Sequence, residues 1–170
     1  MLVLTQDIIE AILQPMLSKS GGPVDVIVSL PFRPGELTEQ AVESNRVRLP
    51  ACVLAYPTTE SFDNTAPASG GQDCYPTVTV RQIVGFMASL TNPVRQKLFV
   101  NNVRVGLFRT LLGHVPTGDS ESPTGNQNQS RIARFDISTA RFEYAETQVV
   151  AEFEIVTVIQ FVARGLPYGN

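Results

Sequence analysis

Histidine occurs once in these 170 residues, cysteine twice and tryptophan not at all. A single histidine, His114, excludes every zinc, iron or triad scheme that needs two and leaves a Ser-His or Cys-His pair as the remaining nucleophilic arrangement. Neither Cys52 nor Cys74 stands in a nucleophile-type turn, and the chain has no Gly-x-Ser-x-Gly elbow. It also lacks a glycine-rich phosphate loop of the Walker or dinucleotide kind. The expectation is a protein that is not an enzyme and holds no cofactor or metal. Without an export signal, the two cysteines read as small buried thiols rather than a disulfide.

Long apolar runs are missing too. Residues 83–90 and 155–163 are the longest uncharged apolar stretches, well short of the roughly 20 residues that a membrane span requires. The start, Met1-Leu2-Val3-Leu4-Thr5-Gln6-Asp7, has no basic n-region and meets an acid by position 7. No signal peptide is expected, and synthesis in the cytoplasm is.

Charge is scarce, at 17% of residues, with a formal net of −3. Its distribution is uneven. Residues 1–76 carry nine acids and four bases, residues 77–118 no acid and five bases, and residues 119–170 seven acids and four bases. Two readings are open for the basic block: an internal balance against acidic strands, or an interface, for which arginine's bidentate fork is well suited. A pI near 5.1 and the absence of basic-aromatic interleaving argue against tight nucleic-acid binding.

What is present is a single domain's worth of alternating elements over 1–170, with 12 Gly and 12 Pro as punctuation. Ile8, Ile9, Ile12, Leu13 and Met16 have helical spacing, with Thr5 as expected N-cap and Pro15 as terminator. A half-buried strand follows over 24–30 and a short helix over 37–44. A second strand spans 46–56, which Pro50 would restrict to a sheet edge or a bulge. Residues 57–76 read as a long loop. A third strand starts at Thr77.

Asn92-Pro93 predicts a helix start, and Gly113 a left-handed stop after Leu112. This helix carries two apolar faces: Val94, Leu98, Val105, Phe108 and Leu112 on one, and Val100, Val103, Leu107 and Leu111 on the other. The second face, with Arg95, Lys97, Arg104 and Arg109, is expected to meet a neighbouring subunit. His114, at the helix end, reads as a dipole partner rather than a base. Residues 114–130 form a second long loop.

The remainder, 131–163, reads as one hairpin turning near Ala145-Glu146-Thr147, with each arm on the order of 45 Å at about 3.3 Å per residue. An arm that long is expected to curl or to project beyond its own domain. Its acidic end, with Tyr144, Glu146, Gln148, Glu152 and Glu154, is the expected docking element for a partner. The fold class is α+β, an α/β sandwich: a mixed or mostly antiparallel sheet flanked by an N-terminal helix and one principal helix, closed by a long C-terminal β-hairpin.

This element order, with Ile8-Ile9-x-x-Ile12-Leu13, a valine strand, Pro50-x-x-Val53-x-x-Tyr56, a helix near 92–112 and a hairpin ending Val158-Ile159-Gln160-Phe161-Val162, resembles the tail terminator (tail completion) proteins of long-tailed bacteriophages. The resemblance spans nearly the whole chain. It implies a homo-oligomeric ring, a hexamer, seated on the last ring of tail-tube protein, where it stops tube growth and presents a surface to the neck or head-completion protein. The implied location is the tail–neck region of the virion, after assembly in the host cytoplasm. Two alternatives are another head–tail joining or neck component, and a cellular ligand-binding domain.

Overall fold

The computed structural model describes residues 2–30, 47–63, 77–114 and 130–161. Six strands form one mixed sheet: β1 (Val26–Leu30), β2 (Ala51–Ala55), β3 (Thr59–Asp63), β4 (Thr77–Ala88), β5 (Ser130–Tyr144) and β6 (Val149–Phe161). Two helices, α1 (Leu2–Ile12) and α2 (Pro93–Leu107), complete the α+β fold. The sheet order is β1-β2-β4-β6-β5, with β3 also on β4. Only β1 and β2 run parallel. β2 and β3 share one long edge of β4, pairing with residues 84–87 and 77–81 respectively.

Alternation along the strands sorts the side chains onto two faces. One face of β4 and β6 presents Val84, Phe86, Val149, Ala151, Phe153 and Ile155. It is covered by Ile8, Ile9, Ile12 and Leu13 of α1 and Phe99, Val100, Val103 and Leu107 of α2. Both helices therefore pack on the same side of the sheet. On the opposite side a smaller cluster, Val47, Ala51, Val53, Met87 and Val150, closes over the β1–β2 end. Further along, that side mixes the buried Val156 and Val158 with ion pairs, Arg81 Nη1 lying 3.6 Å from Glu154 Oε2 and Arg134 Nε 2.7 Å from Asp136 Oδ2.

Several sequence expectations need correction. Helix α1 already includes Leu2, so Thr5 is a buried residue inside the helix and not its cap; the apolar Leu2-Val3-Leu4 run extends the helix toward the N-terminus. The helix gives way at Pro15 to a 3₁₀ turn, Gln14–Met16, as proline's missing N–H and ring clash require. β2 is an interior strand, because Pro50 lies just ahead of it and removes no ladder donor. The 57–76 segment is not all loop: Thr59–Asp63 pairs with β4 despite its polar composition, as an edge strand can. The short helix expected over 37–44, Cys74 and residues 115–129 lie outside the described residues.

Asn92 does cap α2, its Oδ1 accepting from Val94 N at 2.9 Å and Arg95 N at 3.3 Å. The helix ends in a wider π turn, Phe108–Leu112. There the Thr110 hydroxyl donates to the Gly106 carbonyl at 2.9 Å, and the Gly113 amide reaches back to Phe108 O at 3.3 Å. Gly113 has φ −80° and is not left-handed. Glycine suits the position for another reason: a Cβ there would lie 2.6 Å from Arg109 O.

The hairpin does not project beyond the rest of the fold. β4 pairs with β6 along its whole length, from Thr77 opposite Gln160 to Ala88 opposite Val149, so the hairpin's second arm is an interior strand. Register shifts between Ile132 and Arg134 and between Ile137 and Thr139 add the bends that let β5 follow the twisted sheet.

Candidate functional site

Helix α2 lies over the sheet with Val100, Val103, Leu107 and Leu111 buried beneath it. These four were expected at a subunit interface; they belong to the protomer core instead. At about 100° per residue the other apolar set points the opposite way, and it is the exposed one: Val94 is 66% accessible, Leu98 56% and Leu112 47%, with Val105 and Phe108 also exposed. Two apolar faces on one helix cannot be ranked from the sequence alone. The strands beneath decide which is covered.

The four cations of the expected interface, Arg95, Lys97, Arg104 and Arg109, are all exposed on this helix and its π turn. None forms an ion pair among the described residues. Arg104 Nη2 donates to Asn101 Oδ1 at 3.1 Å, one turn earlier. The outer surface of α2 thus carries exposed apolar side chains, interrupted at Asn101, beside cations that form no ion pair with another described residue.

Beside the second half of that surface lies an open cleft of about 550 Å³. One wall is helical, with Asn101, Asn102 and Arg109; the other is the Gly21-Gly22-Pro23 turn after α1. The turn's shape depends on its glycines. Gly21 sits at φ 82°, and a Cβ on Gly22 would fall 1.9 Å from the Met16 carbonyl oxygen. Met16 in turn packs its methyl against Gly106 of α2, which holds the two walls at a fixed spacing. Among the described residues Arg109 is the only titratable group lining the cleft.

The hairpin turn, 145–148, sits against the first turn of α2. Gln96, buried on the core side, donates from Nε2 to Leu90 O at 2.6 Å and Ala145 O at 2.7 Å, with Gln148 O at 3.4 Å. Around it Phe142, Glu143, Tyr144 and Glu146 are exposed. Phe142 rests edge-on against Phe153, with ring centroids 5.9 Å apart.

The residues expected to dock a partner therefore separate. Tyr144 and Glu146 are at the exposed turn and Gln148 is half-buried beside it. Glu152 and Glu154 lie further along β6 on the open sheet face, where Glu154 is engaged by Arg81 and the Ser138 hydroxyl. Two carbonyls of the turn, Ala145 O and Gln148 O, accept from one buried carboxamide. Gln96 itself was overlooked; a glutamine in register with Phe99, Val100 and Val103 was its signal.

Cys52 is fully buried in β2, and that burial, aided by the nearby Glu10 carboxylate, pushes its thiol well above the ordinary value of 9.0. It is an inert core group. Among the described residues no cluster of three His, Cys, Asp or Glu is placed to hold a metal ion, and no helix is long and apolar enough to cross a membrane.

No family model matches the chain, and no curated protein does.

Proposed function

We propose that this protein is a virion structural protein that assembles into a homo-oligomeric ring, capping the tail tube and joining it to the capsid-side neck, as tail terminators do. The observation that carries the reading is the outer face of α2. Five exposed apolar side chains, Val94, Leu98, Val105, Phe108 and Leu112, share one side of α2 and its π turn, with Asn101 between Leu98 and Val105, and a cluster of exposed apolar side chains of this kind supports an interaction site. The flanking cations give the contact register and specificity rather than bulk affinity.

An assembly role accounts for the rest of the surface. Among the described residues the cleft beside α2 is lined by one titratable group, Arg109, a group suited to a binding contact. The remaining elements of the reading are the hexameric number, the tail-tube and neck partners, and a channel that passes DNA without holding it. They rest on the resemblance in element order.

Negative-stain electron microscopy of the purified protein tests the reading. Closed rings with a central opening are the expected image. A field of monomers, or of open filaments without closure, would overturn it.

A further inference from the structure

The cleft beside α2 has the chemistry of an acceptor for an acidic segment. Arg109 supplies a planar guanidinium and Asn102 a carboxamide. Asn101 gives its oxygen to Arg104, so its amide nitrogen remains a donor. Two side-chain amide donors beside one fixed positive charge can take a carboxylate. The apolar flank of the same helix, Val105 and Phe108, would take an apolar or aromatic neighbour of that carboxylate.

The same chain exposes a segment of that description. At the hairpin end Phe142, Glu143, Tyr144 and Glu146 are exposed together, and neither Glu143 nor Glu146 is ion-paired among the described residues. The protomer's own hairpin end does not reach its own cleft. Gln96 ties the turn to the first turn of α2, whereas Arg109 lies thirteen residues further on, roughly 20 Å along the helix at 1.5 Å per residue. Donor and acceptor thus stand at two separate places on one protomer.

We infer that the Tyr144–Glu146 end of one protomer's hairpin inserts its carboxylate into the Arg109 cleft of a second copy of this chain. Because the two patches differ, the contact is head-to-tail: each copy gives its hairpin to one neighbour and its cleft to another. Repetition of such a contact closes into a ring when the rotation allows. This inference rests on the ring reading above and adds to it the contacting surfaces and the polarity of the ring.

Charge reversal tests it on the full chain, with circular dichroism confirming that each variant folds; both residues are exposed, so neither reversal disturbs the core. Arg109→Glu alone and Glu146→Arg alone should each raise the concentration at which the assembly dissociates by about tenfold or more, since like charges then meet at the contact. The Arg109→Glu/Glu146→Arg double variant should return it to within a few-fold of the parent. An equimolar mixture of the two single variants should do the same, because each cleft then finds a hairpin of opposite charge. If the parent assembles and both single variants assemble equally well, the contact is wrong while the ring reading stands. Weakened single variants that neither the double variant nor the mixture restores would also overturn the pairing. A final state that never exceeds a dimer would overturn the head-to-tail arrangement, and a parent that stays monomeric would remove both readings.

Discussion

The Gln96 side chain on α2 and the Ala145 carbonyl at the hairpin turn are joined by a 2.7 Å hydrogen bond across 49 residues of sequence. That bond, with its companion to Leu90 O at 2.6 Å, locks the start of the principal helix to the end of the sheet. It adds a helix-to-turn tie to a hairpin whose second arm is already an interior strand of the sheet. The exposed surfaces at both ends of α2 therefore keep a constant separation.

Replacing Gln96 with leucine should remove the donor to the Leu90 and Ala145 carbonyls, whose bonds are only partly buried, at a cost of about 1 kcal/mol. Urea denaturation reads the loss. Hydrogen exchange localises it: in the parent the amides flanking 145–148 should be protected nearly as well as those of β6, and in Gln96→Leu that protection should fall first at the turn.

Asn92→Ala removes the oxygen that accepts from Val94 N and Arg95 N. It should destabilise the protein by about 1 kcal/mol, seen as a lower denaturation midpoint at unchanged slope. Asn92→Asp should restore most of it, because aspartate caps equally well and α2 has no acid in its first turn.

The two apolar faces of α2 should respond in opposite ways. Leu107→Ala, at a fully buried site, should cost about 2–5 kcal/mol. Leu98→Asp, on the exposed face, should change protomer stability by no more than about 0.5 kcal/mol. Thermal or chemical unfolding of the two variants measures this, and comparable losses would mean that the faces are assigned the wrong way round.

Cys52 gives a pH prediction of definite sign. Burial raises its thiol above the ordinary value of 9.0, so above that pH the unfolded chain loses a proton that the folded chain keeps. The contribution is complete below pH 9 and stability falls as pH rises beyond it. In a Cys74→Ser background a thiol-reactive disulfide should leave native Cys52 unmodified at pH 8 and label it once denaturant unfolds the chain.

Much of the fold was legible in the sequence because its signals are local. Period-two alternation marked β4 and β6, Asn92-Pro93 marked the start of α2, and the Ala145-Glu146-Thr147 turn marked the hairpin. What failed needed tertiary knowledge. β3 carries one apolar residue, Phe62, among Thr59, Glu60, Ser61 and Asp63, and only its pairing with β4 reveals it as a strand. Of the two expectations for the hairpin, curling or projecting, projection fails, because the full-length β4–β6 pairing leaves no sequence signature. The face of α2 that meets solvent was inverted for a similar reason: helical periodicity places residues on faces but does not say which face finds a sheet. The cleft arises where the Gly21-Gly22 turn meets Asn101 and Arg109, far apart in sequence, so it could not be read in advance.

The claim that the outer face of α2 is an assembly surface is tested most directly by light scattering coupled to size-exclusion chromatography, run over a range of concentrations on the parent protein and on Leu98→Asp. The account predicts a parent mass well above a dimer, and a Leu98→Asp protein that elutes as a folded monomer with unchanged circular dichroism. A parent that is monomeric throughout, or a Leu98→Asp variant that assembles as the parent does, would contradict it.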